Sequence, residues 1–96
     1  MIEWLQKWYV ERCNGAWEHE YGIKIETLDN PGWTVTIDLS YTHVEDLEIP
    51  YSLNEVAEDQ WIGYSVEKKK FVGASGPAQL NELIGIFKEI WETHRK

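Results

Sequence analysis

Between Trp33 and Ser40 the chain alternates strictly, with Trp33, Val35, Ile37 and Leu39 apolar and Thr34, Thr36, Asp38 and Ser40 polar. A period of two sends successive side chains to opposite faces of a strand. This segment therefore belongs to a sheet that is apolar on one side and wet on the other. Sheets of that kind are antiparallel, and something else in the chain must cover the apolar side.

The residues upstream read the same way. Trp17, His19, Tyr21, Ile23 and Ile25 fall on one face of a predicted strand, and Glu18, Glu20, Lys24 and Glu26 on the other. Leu28-Asp29-Asn30-Pro31-Gly32 joins the two strands. Pro presets φ at the first central position and Gly accepts positive φ at the next, so a type II turn and a hairpin are expected.

Further on, Trp61–Val66 resumes the alternation through Ile62, Tyr64 and Val66, Lys68-Lys69 turns the chain, and Lys70–Ala74 returns as a short strand with Glu67 and Lys70 placed to pair. Tyr41–Gln60 alternates imperfectly, and Pro50 removes one ladder hydrogen bond, so one or two edge strands with a bulge are expected there.

Two helices supply the cover. Leu80, Leu83, Ile84, Phe87, Ile90 and Trp91 form an apolar stripe behind Gly76-Pro77, with Pro expected in the first helical turn. At the other end Ile2, Leu5, Tyr9 and Cys13 recur every three to four residues, Trp4 and Trp8 widen the stripe, and Asn14-Gly15 stops the helix. The fold expected is α+β: an antiparallel sheet of four to five strands, with the N-terminal and C-terminal helices packed on one face. No repeat or linker divides the chain, so residues 1–96 are read as one domain.

Charge limits the partners. The formal net charge is −8, which repels nucleic acid and anionic membranes alike. Most of it lies between Ala16 and Gln60, where eleven acids face the single base Lys24. A basic protein partner suits that segment. Cys13 is the one cysteine, so no internal disulfide can form and a reducing compartment fits best. The opening Met1-Ile2-Glu3-Trp4-Leu5 lacks the pattern of a secretory signal, and no stretch is long and apolar enough for a spanning helix. A cytoplasmic location is expected.

Few residues suggest catalysis. Cys13 stands at a helix C-terminus, where the dipole disfavours a negative charge, and it reads as a buried structural cysteine. Glu18-His19-Glu20 and His43 suggest metal ligands, but alternate residues of a strand diverge, so no metal is expected. His94, in the last turn of the last helix, suits the dipole there. Glu18, Glu20 and Asp38 could form an acid–base pair only with a desolvating pocket. Gly73-Ala74-Ser75-Gly76 lacks the rest of a phosphate loop, and no cofactor is expected. Lys68-Lys69-Lys70 is too short for a nucleic-acid patch. Of the six Trp, Trp17, Trp33 and Trp91 fall on predicted core faces.

Several blocks together resemble a known family. Glu3-Trp4-Leu5-Gln6-Lys7-Trp8-Tyr9, Trp17-Glu18-His19-Glu20-Tyr21-Gly22-Ile23, Thr27-Leu28-Asp29-Asn30-Pro31-Gly32-Trp33, Trp61-Ile62, Phe71-Val72-Gly73 and Gly76-Pro77 are similar, in order and nearly end to end, to the immunity protein 53 family of bacterial polymorphic-toxin systems. That resemblance implies a cytoplasmic antitoxin that binds and neutralises a cognate toxin and is not an enzyme.

On this reading the contacts with a basic toxin are Glu18, Glu20, Glu26 and Asp38 on the open sheet face, joined by Glu45, Asp46, Glu48, Glu55, Glu58 and Asp59. Two other readings remain open. One is a small enzyme using Cys13 or Glu18/Asp38, and the other is a homo-oligomeric module joined through Trp4, Trp8 and Trp61. The sequence leaves the choice between monomer and homodimer unresolved.

Overall fold

The computed structural model describes residues 1–94. Its elements run α1 (Ile2–Arg12), α2 (Trp17–Glu20), β1 (Ile23–Leu28), β2 (Gly32–Asp38), β3 (Ile49–Ala57), β4 (Gln60–Glu67), β5 (Lys70–Ser75) and α3 (Leu80–Thr93). The five strands form one antiparallel sheet in the order β1-β2-β5-β4-β3. This is the α+β architecture expected, with a helix near each end of the chain. No helix among the described residues is long and apolar enough to cross a membrane.

Register assigns the faces, because residues directly opposite in neighbouring strands project to the same side. Ile23 opposes Ile37, Ile37 opposes Phe71, and Phe71 opposes Val66. Val35, Ile37, Val66 and Phe71 are buried there with Leu83, Ile84, Phe87 and Ile90 of α3 and Leu5 and Trp8 of α1. Each such side chain stabilises the fold by about 1.5–3 kcal/mol when fully buried.

The tightest packing is aromatic. Phe87 lies 5.2 Å from Phe71 below it, and 5.3 Å and 5.8 Å from Trp8 and Trp4, both edge-to-face. One α3 ring thus touches both the sheet and α1. The Trp8 indole N–H finds no acceptor among the described residues.

Several local expectations are corrected. The inward stripe of α1 is Leu5 and Trp8, flanked by half-buried Trp4 and Arg12, whereas Ile2 and Tyr9 are exposed. Two overlapping stripes share this helix, and the one bearing indoles wins because α3 offers rings to stack on. Cys13 is exposed rather than buried, and its thiol donates to the Tyr9 carbonyl at 3.3 Å.

Trp17–Glu20 is a helical turn, not the start of a strand. The Asn14 side-chain oxygen accepts from the N–H groups of Ala16 and Trp17 at 3.0 and 2.9 Å. Gly15, at φ 92, lets the chain reverse. A short polar side chain that satisfies nearby N–H groups nucleates a helix start in preference to extended pairing.

Gly32 does not take positive φ, so the β1–β2 connection is not the type II turn expected. It is needed for close approach, since a Cβ there would stand 2.5 Å from the Ser75 carbonyl oxygen. Pro77 precedes α3 rather than entering its first turn. Glu67 and Lys70 oppose each other in register as expected, while the ion pair at this hairpin is Lys69 with Glu45, at 4.0 Å. β3 is an edge strand with two irregularities, as Pro50 suggested.

Lys68 and Lys69 have φ of 53° and 64°, the pattern of a two-residue type I′ turn that normally calls for Asn-Gly. Holding side-chain-bearing residues there costs about 1–2 kcal/mol each. The substitutions K68N/K69G are expected to stabilise the protein by about 1 kcal/mol in urea unfolding, since the solvent-accessible Lys69–Glu45 pair contributes no more than about 1 kcal/mol. A lowered midpoint would mean that the lysine side chains hold the turn.

Candidate partner-binding surface

The outer face of the sheet is not a field of carboxylates. Of the four acids expected there, Glu26 and Asp38 lie on it, Glu26 opposite Thr34 and Asp38 opposite Lys70. Lys70 also opposes Glu67, so a base stands in register between two acids. Toward β3 the face turns apolar. Val72 and Leu53 are exposed there, and the Tyr51 ring lies over Gly63, where any side chain would collide with it.

Glu18 and Glu20 are placed elsewhere, on the helical turn of α2. Glu18 folds back, its two carboxylate oxygens accepting from the N–H groups of Asn14 and Gly15 at 2.9 and 2.8 Å. Its own backbone N–H first, and then those of Asn14 and Gly15, hold the carboxyl below the usual glutamate range against an opposing effect of desolvation. Asp38 accepts from the Ser40 N–H at 3.0 Å. Both members of the candidate acid–base pair thus serve the backbone of their own turns.

Glu20 and Asp38 do share one neighbourhood. The Tyr21 phenol is pushed up by desolvation first and then by Tyr41, Glu20 and Asp38 around it. Tyr41 stands beside them, with no local sequence signal to mark it. It is 82 % exposed, has φ of 65°, and its ring centre lies 6.0 Å from that of Tyr21. A bulky side chain at positive φ is strained. The Glu45 carboxylate holds it there, accepting from the Tyr41 N–H at 2.6 Å.

The rest of the Leu39–Glu48 connection turns repeatedly, tucks Val44 into the core and leaves Asp46 and Glu48 exposed. Glu20, Asp38, Glu45, Asp46 and Glu48 therefore gather along the end of the sheet where the β4–β5 turn brings Lys68, Lys69 and Lys70. Those lysines offset part of the charge.

Glu55, Glu58 and Asp59 continue from there along the outermost strand. Glu55 lies within β3, and Glu58 and Asp59 form the turn into β4. Residues 49–60 contain these three acids and no base. The length of β4, roughly 3.3 Å per residue, separates this turn from the lysine-bearing end. The acids thus follow one end and one edge of the sheet, with Glu26 alone on the far edge strand.

A groove of about 550 Å³ opens beside α1 and the end of α3. The Arg12 guanidinium stacks there on Trp8 and Trp91, at 5.3 and 4.9 Å. His43 packs on Trp91 with ring centres 4.3 Å apart. Lys7 and Arg12 face Glu11 and Glu92 in the same groove, so opposite charges balance. No group of three or more His, Cys, Asp or Glu is placed to hold a metal ion among the described residues. The indoles considered for self-association are largely committed: Trp8 is buried, Trp4 packs on Phe87, and Trp61 reaches the Gly32 backbone.

Residues 2–92 match the family described as Immunity protein 53. No curated protein and no solved structure matches the chain.

Two outcomes test the geometry of this end. Replacing Tyr41 with Asn, which accepts positive φ, should leave folding stability unchanged or raise it by up to about 1 kcal/mol, read from chemical unfolding. A clear loss would make the ring a structural support instead. For Glu18 the folded carboxyl titrates below its ordinary value. Its stabilisation is therefore complete above about pH 4.5 and disappears as the pH falls through the lower folded value. The stability gap between the native protein and Glu18→Gln should therefore narrow on acidification from about pH 6 to pH 3. A gap independent of pH would show that the charge does not serve the turn.

Proposed function

We infer that this chain, which belongs to the Immunity protein 53 family, is an antitoxin that binds a cognate bacterial toxin in the cytoplasm and neutralises it by covering its working surface. The family match across residues 2–92 carries this reading. The distribution of charge supports the manner of binding.

Toxins that act on nucleic acids hold phosphates with basic residues, and carboxylates can stand in for those phosphates. Glu20, Asp38, Glu45, Asp46, Glu48, Glu55, Glu58 and Asp59 are the proposed contacts along the acidic end and edge. Glu18 contributes through the field it adds beside them, and Glu26 from the far strand.

Such acids act in two stages. At long range they steer a basic partner and raise the rate of encounter. At contact they pair with its Lys and Arg as water is displaced. Tyr41 suits the centre of such a contact, being large, fixed at its backbone by Glu45 and presented to solvent, and Tyr is frequent among residues that dominate interface energies. Inhibition of this kind requires no chemical step by the antitoxin.

Co-expression with the cognate toxin domain should restore growth to cells that the toxin alone arrests. Failure of the folded protein to do so would refute the antitoxin role. The association rate constant should fall at least about tenfold between 20 and 300 mM salt, as expected for charges that act beyond a Debye length. A rate indifferent to salt would remove electrostatic steering and leave only the contact itself.

A further inference from the structure

We propose that β3 is where the partner docks: its free edge accepts a short, extended, positively charged segment of the toxin as a sixth strand. This rests on the antitoxin reading and adds to it a specific edge and a conformation for the partner. β3 is the last strand in the sheet order, paired only to β4. Every residue from Pro50 to Ala57 is exposed. Its outward N–H and C=O groups offer a template for main-chain pairing.

Edges like this are normally guarded, most often by lysine. β3 has no base, and its guards are negative: Glu48 precedes it, Glu55 lies within it, and Glu58 and Asp59 follow. Such an edge rejects anionic chains and attracts cationic ones. A second copy is a poor occupant, since an antiparallel two-fold pairing would set Glu48 of one chain beside Glu58 and Asp59 of the other, between molecules that each carry −8.

The shape of the edge fixes the length of the guest. Pairing with β4 is regular from Ser52 to Glu55, and the register slips on either side of that window. Pro50 removes one donor. Tyr51, Leu53 and Val56, at 65 %, 53 % and 75 % exposed, offer apolar contacts to the guest's side chains. β1, the other edge, mixes Lys24 with Glu26 and makes no such selection.

Hydrogen exchange of the complex with the cognate toxin domain, identified by rescue of growth on co-expression, tests the proposal. Amides between residues 50 and 57 should slow by at least about tenfold on binding. The double substitution L53K/V56K, at exposed positions, should raise Kd at least about tenfold. E82K makes the same net charge change on the solvent side of α3 and should leave Kd within about threefold. Circular dichroism should show both variants folded. A complex whose β3 amides exchange as in the free protein would overturn the edge proposal and leave the antitoxin reading intact. So would a free protein that sediments as a dimer with β3 already protected. Failure of any complex to form would overturn both.

Discussion

The fold depends on the Phe87 ring. A sheet with one apolar face gains stability only when that face is covered, and here the cover has two pieces that must meet each other as well as the sheet. Phe87 joins all three, touching Phe71 on β5, Trp8 and Trp4 on α1, and Trp91 one turn along its own helix. The edge-to-face geometry of its contacts with Trp8 and Trp4 fixes angles that aliphatic packing would leave free. It also explains two local costs. Trp8 turns to stack on Trp17, Phe87 and Trp91 and leaves its N–H without an acceptor. Arg12 places its guanidinium over two indoles and forms no ion pair among the described residues.

What the sequence made legible follows the strength of the local signal. α3 and β2 were plain because their periodicities agree with their burial at nearly every position. Lys68-Lys69 was readable as a turn from its place between two alternating runs, although two lysines at positive φ run against turn preference. Trp17–Glu20 was misread because its alternation of large and charged residues imitates a strand. The decisive fact there is the hydrogen bond that the Trp17 backbone N–H donates to the side-chain oxygen of Asn14, three residues upstream. Gly32 suggested a turn by its neighbours, whereas its role is to let two strands approach. Cys13 lay on an apolar repeat that the helix turns outward.

The candidate surface was legible in composition and not in arrangement. An excess of acid between Ala16 and Gln60 is evident from the sequence, but a net charge carries no direction. Placing Glu18 and Glu20 on a helical turn moves them off the sheet face, and the lysines of the β4–β5 turn offset the acids at that end. The strongest uncompensated charge is left along β3, in the segment with the weakest periodicity. Tyr41 had no local signal, because its strain and exposure arise from how the connection after β2 crosses the end of the sheet.

The strand order also says how the molecule comes together. β1 with β2, and β3 with β4 and β5, are hairpin-connected and close early, each over a short stretch of chain. The pairing of β2 with β5 joins Trp33 to Ser75 and Asp38 to Lys70 across a long intervening segment. Closing that loop costs entropy before any contact rewards it, so this central seam is the natural late step of folding. Until the seam closes, the apolar sides of both halves lack their common helical roof. A nascent chain is therefore most prone to aggregate in the interval before α3 leaves the ribosome.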